Sequence, residues 1–179
     1  MISRITRAIA LIVTVFWSTA KADDGQWISL FNGRNLDGWE GNPALWSVRD
    51  GTITGETKAD TNLKHNTFLV WKAGTVDDFE LRFRYRIVAG NSGLQYRSKV
   101  VEQGPQGPIV AGYQADFEAG KTYSGILYEE RGRGILAQRG EKTRITAADG
   151  GKHKVEVVEK VGKSDEIQAA IKAEDWNDY

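Results

Sequence analysis

The chain has 179 residues, with 24 lysines and arginines, 24 aspartates and glutamates, and no cysteine. The length fits one domain that buries about 68–70% of its unfolded surface. The lack of cysteine excludes disulfides, zinc–thiolate sites, iron–sulfur clusters and thiol nucleophiles, and the balanced charge argues against nucleic acid or an anionic membrane as a partner.

The first 22 residues have the pattern of a secretory signal peptide. A start with two arginines precedes the apolar segment 8–17, and Ala20-Lys21-Ala22 places small residues at a cleavage point. The apolar segment is shorter than the roughly 20 residues that cross a bilayer as a helix, and an uncleaved anchor is the alternative interpretation. We therefore expect one domain over residues 25–179, periplasmic or secreted, that has no membrane contact after cleavage.

Beyond Trp27 the chain alternates apolar and polar residues in short runs separated by glycines. In the runs 78–87, 94–101 and 112–118 this alternation predicts strands with one apolar and one polar face. The polar faces carry Glu80, Arg82 and Arg84, then Gln95 and Arg97, then Gln114, Asp116 and Glu118.

The remaining elements are shorter. We expect a loop at 104–108, paired strands at 125–130 and 135–139, a short edge piece at 143–145, a strand at 153–158, a helix capped by Ser164, and the start of a strand at 175–179. Many short strands separated by glycine turns predict an all-β sandwich or barrel, with a short helix near the C-terminus.

The polar faces of the three longest strands have two interpretations. Charged outer faces with cross-strand ion pairs are ordinary in antiparallel sheets. Arginine, glutamine and carboxylate side chains are also the groups that bind vicinal sugar hydroxyls through paired hydrogen bonds. The sequence leaves both interpretations open.

Seven short motifs in order resemble the 3-keto-disaccharide hydrolase domain family, a former domain of unknown function. They are Leu30 to Trp39, Trp46 to Gly51, Phe79 to Phe83, Asn91 to Ser98, Gly112 to Asp116, Gly125 to Glu130, and Asp175 to Asn177. The resemblance implies a concanavalin A-like jelly-roll sandwich of two antiparallel sheets with a sugar site on the concave side. Members of the family continue with further strands, so the resemblance also implies that this chain, ending at Tyr179, lacks its last strands.

The resemblance further implies cleavage of glycosides that already carry a ketone at carbon 3. A base removes the acidified C2 proton, the enolate expels the glycosidic oxygen, and water adds back. On this basis the expected catalytic residues are Asp116 as base or metal ligand, Glu80 as its partner carboxylate, Arg97 as oxyanion donor and Glu130 as proton donor. The expected substrate-binding residues are Gln95, Gln114, Tyr128 and Arg82.

Several assignments stay open in the sequence. An ion pair with Arg131 or Arg133 is the alternative for Glu130. A divalent cation on Asp116, Glu80 or Glu118 suits the chemistry of carboxylate oxygens, but no calcium-binding spacing is present and the metal stays unassigned. The alternatives for the whole domain are a non-catalytic carbohydrate-binding jelly roll and an ordinary two-carboxylate glycosidase.

Overall fold

The computed structural model describes residues 8–12 and 27–179, and in this part of the chain the fold is all-β with one short α-helix. The strands are β1 (Ala8–Ile12), β2 (Trp39–Glu40), β3 (Trp46–Arg49), β4 (Thr52–Glu56), β5 (Val70–Trp71), β6 (Arg84–Ile87), β7 (Asn91–Gly104), β8 (Gly107–Glu118), β9 (Leu127–Glu130), β10 (Gly134–Ala137), β11 (Glu141–Ala147), β12 (His153–Lys160) and β13 (Asn177–Asp178). A single 3₁₀ turn covers Asp149–Gly151, and α1 covers Ser164–Ala170. The predicted all-β fold with a helix near the C-terminus is confirmed.

The predicted signal peptide lies outside the described residues, apart from β1. No helix in the described residues is both long enough and apolar enough to cross a membrane.

The strands form two main antiparallel sheets. One has the order β13-β6-β1-β4-β3, and the other has the order β10-β9-β8-β7. Two smaller pairs, β2–β5 and β11–β12, complete the set of sheets in the described chain. Two packed antiparallel sheets of this kind are the architecture that the jelly-roll expectation requires.

The core lies between the two main sheets. Phe117 on β8 is fully buried and stacks on Tyr85 of β6, with ring centroids 4.2 Å apart. Phe83 and Ile87, two residues before and after Tyr85, are also buried in this cluster. Because side chains alternate along a strand, the neighbours of Phe117 at even positions of β8 point to the other side of that sheet.

The run 78–87 forms a shorter strand than its alternation predicts, since only Arg84–Ile87 is paired in the sheet. Tyr85 pairs with Asn177 of β13 on one side and with Leu11 of β1 on the other. Glu80 and Arg82 precede this pairing and lie on an irregular segment. Their alternation therefore does not place them in a row on a sheet face.

β7 and β8 form a long hairpin around the predicted 104–108 loop, and the hairpin contains an irregularity. The register shifts between Tyr96 and Lys99, and Arg97 has a φ of +47°. An extra residue in one strand interrupts alternation at that point. Gln95 therefore lies on the sheet face that alternation predicts for it, whereas the alternation is interrupted at Arg97.

The C-terminal elements differ from their predictions in two details. The predicted edge piece 143–145 belongs to the seven-residue strand β11. The predicted cap Ser164 is wrong, because Lys163 is the N-cap residue and no side chain caps the helix. The Ser164 hydroxyl instead accepts a hydrogen bond from Arg139 Nε at 3.2 Å.

Candidate active site

Gln114 and Asp116 lie side by side on the face of β8 that points away from the core. Their side chains are only 8% and 5% exposed. Alternation explains this facing, since the intervening Ala115 and the following Phe117 belong to the opposite face. A buried carboxyl on the outer face of a sheet is uncommon and indicates that other groups cover it.

Gln95, Gln114 and Asp116 form a hydrogen-bonded chain across β7 and β8. Gln95 Nε2 donates to Gln114 Oε1 at 3.2 Å, and Gln114 Nε2 donates to Asp116 Oδ1 at 2.5 Å. Gln95 is the cross-strand partner of Gln114. At the end of this row of hydrogen bonds, Gln95 Oε1 is buried and has no partner among the described residues. The row of hydrogen bonds therefore ends on an acceptor to which a substrate hydroxyl could donate.

Gly93, the cross-strand partner of Asp116, makes this arrangement sterically feasible. A Cβ at Gly93 would lie 2.5 Å from Gln114 Cγ and 2.9 Å from the Ala115 carbonyl oxygen. Because Gly93 has no side chain, the Gln114 side chain can occupy this space and reach Asp116.

The environment of Asp116 favours its protonated form. Burial raises the pKa of its carboxyl from 3.8 to about 6, although hydrogen bonds from Gln114 and Asn91 act in the opposite direction. Negative charges on Glu118 and Glu130 add smaller increases to the same pKa. A carboxyl of this kind gains and loses a proton close to neutral pH, which suits a general base.

Tyr128 and Glu130 on β9 lie within electrostatic reach of Asp116. Burial raises the pKa of the Tyr128 hydroxyl, and the charges on Glu130 and Asp116 raise it further. Tyr128 is also the cross-strand partner of Gln114. The hydroxyl therefore stays protonated and remains a hydrogen-bond donor over the physiological pH range.

Glu130 is bound by Asn66 and not by a neighbouring arginine. Asn66 Nδ2 donates to Glu130 Oε2 at 2.7 Å. Arg133 instead pairs with Glu129 at 2.5 Å, which holds the pKa of Glu129 below its usual value. The sequence did not single out Asn66, because it lies in a loop with no periodic pattern.

A cavity of about 860 Å³ lies against this polar face. Gln95 and Gln114 line it, and so do four tryptophans, Trp27, Trp39, Trp46 and Trp71. A two-residue strand such as β2 has too little alternation to reveal which face a tryptophan occupies.

Glu80, Arg82 and Arg97 also line the cavity, but they are held in exposed ion pairs. Glu80 Oε1 lies 2.6 Å from Arg82 Nε. Arg97 contacts two acids of the preceding loop, Asp77 at 3.8 Å and Asp78 at 3.3 Å. No hydrogen bond or ion pair joins any of these three residues to Asp116 in the described chain. The structure thus places Gln95, Gln114, Asp116, Tyr128 and Glu130 on three adjacent strands. Of these five only Gln95 and Gln114 line the cavity, whereas Glu80, Arg82 and Arg97 line it in exposed ion pairs.

The carboxylates considered as metal ligands each have their own hydrogen-bond donors. Glu118 Oε1 accepts the backbone N–H groups of Thr122 and Tyr123, the latter at 2.7 Å. Within residues 8–12 and 27–179, no group of three or more histidine, aspartate or glutamate side chains is close enough to hold a metal ion. Asp116, Glu80 and Glu118 therefore do not form a ligand set in this arrangement.

Comparison with known families supplies a match over nearly all of the described chain. A family model described as the 3-keto-alpha-glucoside-1,2-lyase-like domain matches residues 26–179. This is the family that the ordered motifs resemble. No curated protein and no solved structure gives a significant match.

Proposed function

Since the chain belongs to the 3-keto-alpha-glucoside-1,2-lyase-like domain family, we propose that it cleaves glycosides whose sugar already carries a ketone at carbon 3. The family membership makes it a carbohydrate-acting domain. The observation that carries the finer proposal is the buried Asp116 carboxyl, which has a pKa near 6 and accepts a hydrogen bond from Gln114, a residue that lines the large cavity.

The proposed reaction has three steps. The ketone acidifies the C2–H bond, so a base removes that proton and the electron pair forms an enolate with the oxygen on carbon 3. The enolate re-forms the ketone and expels the glycosidic oxygen from carbon 1, leaving a double bond between carbons 1 and 2, and the departing oxygen takes a proton. Water then adds across the double bond, with its oxygen on carbon 1 and a proton on carbon 2. The net change is hydrolysis of the glycosidic bond.

We assign the base to Asp116, and the same carboxyl, which holds the C2 proton after the first step, supplies the proton to the departing oxygen. Glu130, whose negative charge raises the pKa values of Asp116 and Tyr128, is left without a role in the reaction. Burial keeps the proton affinity of Asp116 high enough to abstract a proton near neutral pH, and the carboxylate is ionised above pH 6. Tyr128 stays protonated, so we assign it the hydrogen bond to the enolate oxygen. Gln95 and Gln114 bind sugar hydroxyls, the first through its unpartnered Oε1.

We do not assign Arg97 or Glu80 to the reacting atoms. The Arg97 guanidinium is already compensated by Asp77 and Asp78, and Glu80 is paired with Arg82. These groups contribute charge at the exposed part of the cavity, where an ion pair is screened by solvent.

The test compares 3-keto-trehalose with trehalose as substrates. We expect cleavage of the oxidised sugar only, and we expect Asp116→Asn to reduce kcat/KM by about 10²–10⁴-fold, the range for loss of a general base. Asp149→Asn, an acid on an exposed 3₁₀ turn, is the matched control and should keep the wild-type rate.

Two results would contradict the proposal. Asp116→Asn with wild-type activity would remove the base assignment, and cleavage of unoxidised trehalose would indicate an ordinary glycosidase. Binding of 3-keto-trehalose without cleavage would support the second candidate, a non-catalytic carbohydrate-binding domain. The tryptophan-lined cavity wall is the observation that favours this candidate.

We also propose that the domain acts outside the cytoplasm after export. The support is the sequence pattern of residues 1–22, namely arginines, an apolar segment, and small residues before a cleavage point. Detection of a mature N-terminus at Asp23 in the periplasmic fraction of an expressing bacterium would test this, and retention of Met1 in the cytoplasmic fraction would contradict it.

A further inference from the structure

The wall of the cavity contributed by β2 and β5 differs in chemistry from the polar face of β8. Trp39 and Trp71 are directly opposite each other in this two-stranded sheet, so their rings occupy the same face. Both line the cavity. We call Trp39 and Trp71 the indole pair.

The indole pair is held in place by contacts within the protein. Trp39 Nε1 donates to the Leu30 carbonyl oxygen at 2.9 Å, so its polar atom is satisfied within the protein. Gly74 packs against Trp71, since a Cβ at Gly74 would lie 2.9 Å from Trp71 Cη2. The rings are therefore fixed as flat apolar surfaces before any ligand binds.

Apolar side chains lie next to the indole pair. Leu69 and Val70 immediately precede Trp71 and line the same cavity. A Cβ on Gly41, which follows β2, would lie 2.9 Å from both Leu69 Cδ1 and the Phe68 carbonyl oxygen and 3.3 Å from Trp46 Cδ1, so this part of the wall is closely packed. Hydroxyl groups placed against Leu69, Val70 and the two indole rings would find no hydrogen-bond partner on these side chains, which is unfavourable.

We propose, on the basis of the function proposed above, that the indole pair is the subsite for the leaving group and that the preferred leaving group is an aromatic alcohol. The sugar ring lies on Gln95 and Gln114, and the aromatic ring stacks on Trp39 and Trp71, which favour offset or edge contacts with a flat partner. The cavity of about 860 Å³ has room for both rings. A phenolate, with an ordinary pKa of about 10 like that of tyrosine, is also expelled more readily than a sugar alkoxide.

Binding of unoxidised sugars tests this inference without turnover. The full chain is titrated calorimetrically with phenyl α-glucoside, methyl α-glucoside and trehalose. We expect phenyl α-glucoside to bind at least tenfold more tightly than either other ligand. Trp71→Ala should reduce this preference to less than threefold, whereas Trp176→Ala, which removes an indole stacked on Arg86 outside the cavity, should leave it unchanged.

Gly74→Ala provides a second variant in case Trp71→Ala does not fold. The added methyl group displaces the Trp71 ring and should lower the phenyl preference while keeping the indole. The inference is overturned if trehalose binds as tightly as phenyl α-glucoside, if no binding of phenyl α-glucoside is measurable, or if the preference survives in both the Trp71 and the Gly74 variants.

A separate turnover assay distinguishes this failure from failure of the proposed reaction. Loss of the phenyl preference with continued cleavage of 3-keto-trehalose would overturn only the leaving-group subsite. A phenyl preference without cleavage of any 3-keto-glycoside would overturn the proposed reaction and retain an aromatic-glycoside binding site.

Discussion

Asp116 is a residue whose position favours function over stability. Its carboxyl is buried on the outer face of β8, where the charged form is disfavoured and the pKa is raised from 3.8 to about 6. Gln114 and Asn91 offset part of this cost through hydrogen bonds. A buried acid with incomplete compensation is typical of catalytic positions.

Stability measurements should detect this cost. The folded chain binds the Asp116 proton more tightly than the unfolded chain, so acidification from pH 6 to pH 4 stabilises the fold, and ionisation above pH 6 removes that gain. We expect Asp116→Asn, which is neutral at every pH, to raise the free energy of unfolding at pH 8 by about 1–3 kcal/mol and to change it little at pH 4. Urea unfolding at both pH values measures the difference, and equal stabilities at pH 8 would contradict the raised pKa.

The same titration should appear in the reaction rate. A base acts only when ionised, so kcat/KM for a 3-keto-glycoside should rise with pH and level off above an apparent pKa near 6. Gln114→Ala removes a hydrogen bond that favours the carboxylate and should move the midpoint to higher pH. An unchanged midpoint in this variant would show that another group controls the ascending limb.

At the scale of elements, β9 depends on the segments that hold it beside β8. Arg139, which follows β10 and is only 8% exposed, connects these segments and has no carboxylate partner among the described residues. Its guanidinium donates to the Ser124 carbonyl at 2.6 Å, to the Ser164 carbonyl at 3.0 Å and to the Lys121 carbonyl at 3.2 Å. One side chain therefore joins the β8–β9 connection to the start of α1.

Replacement of Arg139 by lysine should destabilise the fold although the charge is kept. A lysine ammonium lacks the planar fork that reaches three segments, so the buried Ser124 carbonyl or the part-buried Lys121 and Ser164 carbonyls lose their donor. We expect the free energy of unfolding to fall by about 2–4 kcal/mol, measured by urea denaturation. Arg144→Lys on the exposed side of β11 is the control, and an equal loss in both variants would contradict this role.

Alternation predicted the part of the site that lies on regular paired strands. Gln95, Gln114 and Asp116 occupy such strands, and their common face follows from a period of two. Arg97 lies in a bulge with φ of +47°, and Glu80 lies on a segment that has not yet entered the sheet. Bulges and strand bounds depend on pairing with distant segments, which is not visible in local periodicity.

At the scale of the whole molecule, β1 completes the larger sheet. Its residues 8–12 pair with β4 on one side, as Ile9 with Gly55, and with β6 on the other, as Ile9 with Ile87. The same residues fall within the predicted signal peptide. If the segment stays, it is a central strand of the larger sheet. If it is removed, the edges of β4 and β6 that face it are left unpaired.

Removal of residues 1–22 should therefore weaken the sandwich and expose strand edges. We expect the chain 23–179 to have a free energy of unfolding at least about 3 kcal/mol below that of the full chain, because several ladder hydrogen bonds of about 0.5–1.5 kcal/mol each are lost. We also expect it to self-associate in light scattering, since unpaired edges accept further strands. Leu11→Pro in the full chain blocks pairing at the position opposite Tyr85 and should reproduce both effects. A chain 23–179 that is monomeric and as stable as the full chain would show that β1 adds nothing to the folded domain, and that the larger sheet is stable without a strand between β4 and β6.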